Sequence, residues 1–277
     1  MAARRGNDKK LLFIGGGNIA GAVACGLVNC DAVPPCCVTV CDIDNSKYEK
    51  FKRCGINVTN TPGSASKDAD FIFIAVKPNV VKSAIHNLFT QCEVNPKAVF
   101  VSFAAAVPSD FIEDCAGRKL KIIRTMPSTP VLIGEGVIAA AKNERVSKSE
   151  FQYFCRLMSE VAHVEVTEES ALNPVIAVNG SSPAYVYLFI KSMLDASVKQ
   201  GIPAETALPL ILHTIKGSVS MVQKSGESIE TLIKNVSSPN GTTVAALDSF
   251  YKDDFAGAVE RAMQACTDRA NEISREL

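Results

Sequence analysis

Up to about residue 165 the chain alternates short, wholly apolar runs with longer stretches of mixed polarity. The apolar runs predict strands at Leu11 to Ile14, Val38 to Cys41, Phe71 to Val76, Val99 to Phe103, Ile122 to Met126, Val137 to Ala141 and Val164 to Val166. Phe-Ile-Phe-Ile-Ala-Val at 71–76 has no polar position, as expected of a strand covered on both faces in a parallel sheet. Helical stretches separate the runs, which predicts a doubly wound α/β domain over residues 1–167. After Thr167 the strand signals stop, and residues 168–277 predict an all-helical domain with helices at about 168–178, 183–199, 204–223, 228–236, 242–251 and 255–276. Pro183 and Pro203 fall at helix starts, where proline is tolerated, whereas Pro209 lies deeper and predicts a kink or a restart. The helix from Pro183 is apolar almost all round over Ala184 to Ile190, so every face needs a cover. Either the helical domain buries it internally or a second copy of the chain covers it, and the second solution is the one favoured here.

With 277 residues, 47% of them hydrophobic and 21% charged, the chain is long enough for about two domains with sizeable cores. Lys plus Arg number 29 and Asp plus Glu 29, so the net charge is zero and nothing forms an electrostatic footprint for nucleic acid. Ten cysteines without a CxxC spacing, in a chain too long to need staples, read as reduced thiols of a cytoplasmic protein. Three histidines and no Cys/His cluster at zinc spacing predict no metal site. The first ten residues carry no apolar targeting segment, and the longest later run, Ala184 to Ile190, is far short of the ~20 residues of a membrane helix.

The candidate chemistry begins where the first strand ends. Gly15-x-Gly17-x-x-Ala20, with Asn18 and Ile19 between, follows a strand and opens a small-residue helix. Gly15 allows the tight turn, Gly17 lets backbone approach a pyrophosphate, and Ala20 lets the helix pack close to the strand. The helix N-terminus offers unpaired N–H groups to the anion. A glycine turn also serves where only tight packing is required. Asp42 ends the second strand, 22 residues past Ala20, where an acidic residue accepts from a ribose 2′-hydroxyl and repels a 2′-phosphate. Lys47, Lys50 and Arg53 follow closely enough to meet a phosphate instead, so NADH and NADPH both stay open.

Ligands of open α/β sheets bind beyond the carboxyl ends of the strands. Ala75-Val76-Lys77-Pro78, Ala104-Ala105-Ala106 and Met126-Pro127-Ser128-Thr129-Pro130 all lie at such ends, where small residues and prolines suit a rigid loop approached by a flat ring; ordinary turn chemistry explains each equally well. In the helical half, Ser237-Ser238-Pro239-Asn240-Gly241-Thr242-Thr243 opens a helix with a dense set of N–H and hydroxyl donors suited to a small carboxylate, or to simple capping. No histidine falls in a loop, which weighs against a hydroxy-acid dehydrogenase using His as acid and base.

Taken in order, Gly-Gly-Gly-Asn-Ile-Ala at 15–20, Ala-Val-Lys-Pro at 75–78, Met-Pro-Ser-Thr-Pro at 126–130, Gly-Ser-Ser-Pro-Ala-Tyr at 180–185 and Ser-Ser-Pro-Asn-Gly-Thr-Thr at 237–243 resemble pyrroline-5-carboxylate reductases over essentially the whole chain. The resemblance implies an N-terminal Rossmann-like domain and a C-terminal helical dimerisation domain, with homodimers that commonly assemble into decamers. It implies hydride transfer from NADPH or NADH to the C=N carbon of 1-pyrroline-5-carboxylate, giving L-proline. Ser181 and the segment Ser238, Pro239, Asn240, Gly241, Thr242 and Thr243 would bind the substrate, with the Thr243 hydroxyl facing the ring nitrogen. Gly15, Gly17, Asn18, Ile19, Ala20, Asp42, Ala75, Val76, Lys77, Pro78, Ala104 and Ala105 would line the cofactor. The chain departs from the family at Ser182 and Asn240, where glycine is usual; asparagine tolerates left-handed backbone, so Asn240 is expected to preserve its turn. Rival readings are another imine or hydroxyacid reductase on the same frame, and a non-catalytic dinucleotide-binding protein.

Overall fold

The computed structural model describes residues 9–277; the first eight, on which the absence of a targeting segment partly rests, lie outside the described residues. One eight-stranded sheet organises the N-terminal part. Its strands are β1 (Leu11–Ile14), β2 (Val38–Cys41), β3 (Asn57–Thr59), β4 (Phe71–Ile74), β5 (Val99–Ser102), β6 (Lys121–Pro127), β7 (Gly136–Lys142) and β8 (Ala162–Val166), in the spatial order 3-2-1-4-5-6-7-8. The order reverses between β1 and β4, so the crevice for a ligand opens at their carboxyl ends.

Alternation along β1 assigns the two faces. Leu11 and Phe13 pack with Val38, Val40, Phe71 and Phe73 beneath the helix Asn18–Asn29, and Phe13 stacks on Phe73 at 4.3 Å. Leu12 and Ile14 point the other way, into a core with Ile72, Ile74, Phe100 and the helices Val81–Gln91 and Ser109–Ala116. Every residue of β1, β4 and β5 is buried, so the unbroken apolar runs reflect cover on both faces.

Three features lie outside the hydrophobic pattern. The sheet is not wholly parallel: β7 runs antiparallel to β6, and β8 follows β7. The connection over residues 128–135 is too short for the dozen or more residues a parallel crossover needs, so the chain turns straight back. Strand β3 has no counterpart in the apolar pattern, because Asn57-Val58-Thr59 is an edge strand with a single apolar side chain. Pro209 does not restart its helix, which runs unbroken over Ala204–Lys224. Proline at this point removes one N–H bond near the helix start, and the rest of the turn holds.

By contacts among the described residues the chain divides into two compact units, residues 9–181 with 266–277, and residues 182–265. Residues 169–181 form a short 3-10 turn, a helical turn at Leu172–Val175 and a π-helical turn at Ile176–Gly180 in place of the expected helix and loop. They belong to the first unit because Leu172 is buried with Ala139 and Ala141, and Ile176 with Ala106 and Ala270.

The second unit consists of the helices Ser182–Lys199, Ala204–Lys224, Ile229–Asn235 and Thr242–Lys252 and the first part of Phe255–Glu276. No residue of Ser182–Lys199 is buried within the chain; Tyr187 and Leu188 are 61% and 66% exposed. Internal burial of this apolar helix is therefore not what the chain achieves, and exposed apolar side chains at this density mark an interaction face. No helix among the described residues is long and apolar enough to cross a membrane.

Candidate active site

The glycine turn is held on three sides. Gly15 N–H donates to the Cys41 carbonyl at 2.8 Å, which ties the turn to the end of β2. Gly15 has φ +104°, and a Cβ there would lie 2.6 Å from the Ala75 carbonyl oxygen at the end of β4. Only glycine satisfies both the angle and the approach. Gly17 differs: nothing lies within 4 Å of the place a Cβ would take, so its face is open. It precedes the helix Asn18–Asn29, whose start has no side-chain cap. Asn18 is exposed, Ile19 half-buried and Ala20 buried against the strand. Open backbone before uncapped N–H groups with a positive dipole end suits a pyrophosphate.

Asp42 is brought to this turn, in a place that changes its meaning. Its Oδ2 accepts from Gly16 N–H at 2.7 Å and its Oδ1 from Asp44 N–H at 2.9 Å, while Lys47 Nζ lies 2.9 Å from Oδ2 and 3.1 Å from Oδ1. Gly16, absent from the motif reading although visible as the middle of three consecutive glycines, is thus a partner of the site. Burial by itself would raise the Asp42 carboxyl, but the two N–H groups and the Lys47 ammonium outweigh it and hold the group below the usual carboxylate range. With the folded value depressed, its stabilising contribution is complete above the unfolded pKa of about 3.9 and is lost as pH falls through the lower folded value. The stability difference between the wild type and Asp42→Asn, measured by denaturant titration, should therefore hold constant down to about pH 4 and shrink below it.

At the neighbouring strand ends, Ala75 N–H donates to the Ile14 carbonyl at 2.8 Å, and Ala75 and Val76 pack against Gly15. Lys77 is exposed at the start of the 3-10 turn Pro78–Val80, with Pro78 as its first residue. After β5, Ala104 is buried, Ala105 half-buried, and Ala106 adopts φ +60° while its carbonyl accepts from the Ser274 hydroxyl at 2.7 Å. A left-handed alanine costs about 1–2 kcal/mol, and glycine's looser unfolded chain takes back about 0.4–1. Loss of the methyl of this 2% exposed residue costs about 0.8 kcal/mol more, so Ala106→Gly should leave the urea midpoint nearly unchanged, within about 1 kcal/mol. After β6, the Asn179 amide donates to the Met126 carbonyl at 2.8 Å and pins the π-helical turn there. Ser181, next in the chain, accepts from Cys266 Sγ at 3.3 Å.

In the second unit, Ser238 to Gly241 form a reverse turn in which Gly241 N–H donates to the Ser238 carbonyl at 2.9 Å. Pro239 takes the second position and Asn240, at φ +56°, the third, the signature of a type II turn. Asn240 thus supplies the left-handed residue, as expected of it. A Cβ on Gly241 would meet Ser238 Oγ at 2.5 Å. Gly241 is the N-cap of the helix Thr242–Lys252 and no side chain caps it, so simple capping by Ser or Thr does not explain the loop. Ser238, Pro239, Asn240 and Thr242 are exposed and Thr243 is half-buried. The turn leaves hydroxyls and uncapped N–H groups together at one helix start, donors of the kind that suit a small anion.

The histidines take no part in either arrangement. His163 pairs with Glu165 at 2.8 Å on the exposed strand β8, and His86 and His213 lie within helices. Among the described residues no group of three or more His, Cys, Asp or Glu side chains could hold a metal ion.

A doubly wound sheet with an open glycine turn at its switch point, followed by a helical unit with an exposed apolar face, defines a dinucleotide-binding oxidoreductase frame. Residues 10–106 match the family model of coenzyme F420-dependent NADP oxidoreductases, and residues 169–273 that of pyrroline-5-carboxylate reductase dimerisation. The pyrroline-5-carboxylate reductase of Escherichia coli is 33% identical over 97% of this chain and 99% of its own, and that of Corynebacterium melassecola 32% over 96% and 98%. A crystal structure of Plasmodium falciparum pyrroline carboxylate reductase with NADP bound superposes with a TM-score of 0.86 at 29% identity, covering 96% of this chain and 98% of that one. The chain belongs to the pyrroline-5-carboxylate reductase family.

Proposed function

We propose that this chain reduces the C=N bond of 1-pyrroline-5-carboxylate to L-proline at the expense of NADPH or NADH, with residues 1–167 holding the dinucleotide and 168–277 the substrate and the partner subunit. The observation that carries this reading is the uncapped turn Ser238 to Gly241 before Thr242–Lys252, in a chain of this family whose glycine turn is open to an anion. A dinucleotide-binding protein without turnover has no use for such a turn.

A bound reduced nicotinamide supplies a hydride, and the chain's own residues do the rest. The N–H groups and hydroxyls of Ser238 to Thr243 hold the ring carboxylate, which fixes the ring carbon presented for reduction. Ser181 lines the substrate and the Thr243 hydroxyl faces the ring nitrogen, orienting it by a hydrogen bond. Gly15, Gly17, Asn18, Ile19 and Ala20 hold the pyrophosphate, while Ala75 to Pro78 and Ala104 to Ala105 border the nicotinamide end. A cyclic imine arrives from solvent already protonated, so two electrons and one hydrogen added at carbon complete the amine without an acid on the enzyme. That matches a site to which no histidine contributes. A hydroxyacid reductase would want a lysine about one turn past Gly180, but the first is Lys191, exposed and paired with Asp195.

The exposed apolar helix Ser182–Lys199 supports a homodimer as the basic unit, which the family assembles further into decamers. Light scattering should give at least twice the 29.6 kDa chain mass. The ten free cysteines support a reducing, cytoplasmic setting. The chemistry is tested with cofactor deuterated at the transferring position. Deuterium should appear in proline at the carbon beside nitrogen that does not carry the carboxylate; proline without label would sink the reading.

A further inference from the structure

Four cations follow β2, Lys47, Lys50, Lys52 and Arg53, and three of them are committed. Lys50 Nζ donates to the Gly17 carbonyl at 3.0 Å, and Arg53 Nε to Glu49 at 3.1 Å, leaving Lys47 bridging both oxygens of Asp42. An ionised carboxylate offers about four lone-pair sites. At Asp42 the N–H groups of Gly16 and Asp44 take two, and the ammonium takes one on each oxygen. The side chain is only 8% exposed. A carboxylate that reads a ribose needs a free lone pair for the 2′-hydroxyl and an uncompensated charge against a 2′-phosphate. Asp42 has no free lone pair, and its charge is met by Lys47, whose Nζ also lies 3.8 Å from Oδ2 of the more exposed Asp44.

We propose that Lys47 determines the cofactor preference of the site by closing Asp42. It is a positioning residue: by occupying the carboxylate and cancelling its charge, it silences the selection for an unphosphorylated ribose that an acidic residue at the end of β2 otherwise imposes, and so admits the phosphorylated dinucleotide. Tyr48, whose hydroxyl donates to the Asp42 carbonyl at 2.7 Å, and Asp44, whose Oδ1 accepts from Ser46, keep the segment in place around the pair. The proposal rests on the reading that Gly15 to Ala20 take a dinucleotide.

The test is the ratio of NADP+ to NAD+ affinity, measured by calorimetry on the full-length oligomer without substrate. The wild type should bind NADP+ at least as tightly as NAD+. Lys47→Met, which keeps the apolar stem, and Lys47→Ala should each lower the ratio about tenfold by weakening NADP+ and strengthening NAD+. Asp42→Asn combined with Lys47→Met should restore the ratio to within threefold of the wild type, because no buried charge is left to neutralise. An unchanged ratio in both single variants would overturn the proposal. A lowered ratio that the double variant fails to restore would overturn it too, since Lys47 would then be contacting the phosphate itself. Circular dichroism identifies any variant that has lost its fold, and the remaining variants carry the test. A wild type that binds neither dinucleotide would instead overturn the underlying reading.

Discussion

Thr243→Ala is expected to lower kcat/KM for the cyclic imine about 100-fold while leaving dinucleotide affinity within a factor of two. The size follows from the role: a hydrogen bond accepted by the Thr243 hydroxyl from the charged iminium N–H is worth about 1.5–3 kcal/mol, and each 1.4 kcal/mol is tenfold. The fold should not suffer, because Thr243 is the second residue of the helix Thr242–Lys252 and alanine is the better helix former. Thr243→Ser keeps the hydroxyl and should recover most of the activity. Loss of dinucleotide affinity together with turnover would place the residue elsewhere. Unchanged turnover would remove it from the chemistry altogether.

The glycine turn carries the second large effect, and its two outer glycines should fail in different ways. Gly15→Ala forces a side chain onto φ +104° with its Cβ 2.6 Å from the Ala75 oxygen and 2.9 Å from Val76 Cγ1. Backbone strain of about 1–3 kcal/mol and overpacking of a similar size should together remove about 3 kcal/mol or more, lowering the melting midpoint by roughly 10 °C. Gly17→Ala meets no atom within 4 Å and has an ordinary φ of −68°, so stability should hold. Its methyl group would occupy the space an anion needs. Dinucleotide affinity should fall at least tenfold, on the scale of one charge-assisted hydrogen bond lost. Equal destabilisation by both, measured by thermal melts, would contradict the view that one glycine serves the turn and the other the ligand.

Much of the fold was legible because it depends on burial. β1, β4 and β5 are covered on both faces and leave unbroken apolar runs, and the glycine turn shows as spacing because Gly15 and Gly17 answer local demands. What escaped the pattern depends on contacts far apart in sequence. β3 pairs at the sheet edge with one apolar side chain, and β7 reverses because its connection is short, a fact of loop length rather than hydropathy. The π-helical turn at Ile176–Gly180 is fixed by Asn179 reaching the Met126 carbonyl. Asp42 shows the limit most clearly. Its position was readable, but its acceptor capacity is taken by Gly16 and Lys47, which only the folded turn reveals.

The measurement that bears most directly on the account is the oxidation of reduced nicotinamide, followed by absorbance, with 1-pyrroline-5-carboxylate as acceptor and NADPH and NADH run in parallel. The account predicts substrate-dependent turnover yielding one proline per cofactor consumed, at least as efficient with NADPH as with NADH. A folded, dinucleotide-binding protein that consumes neither in the presence of the imine would contradict it.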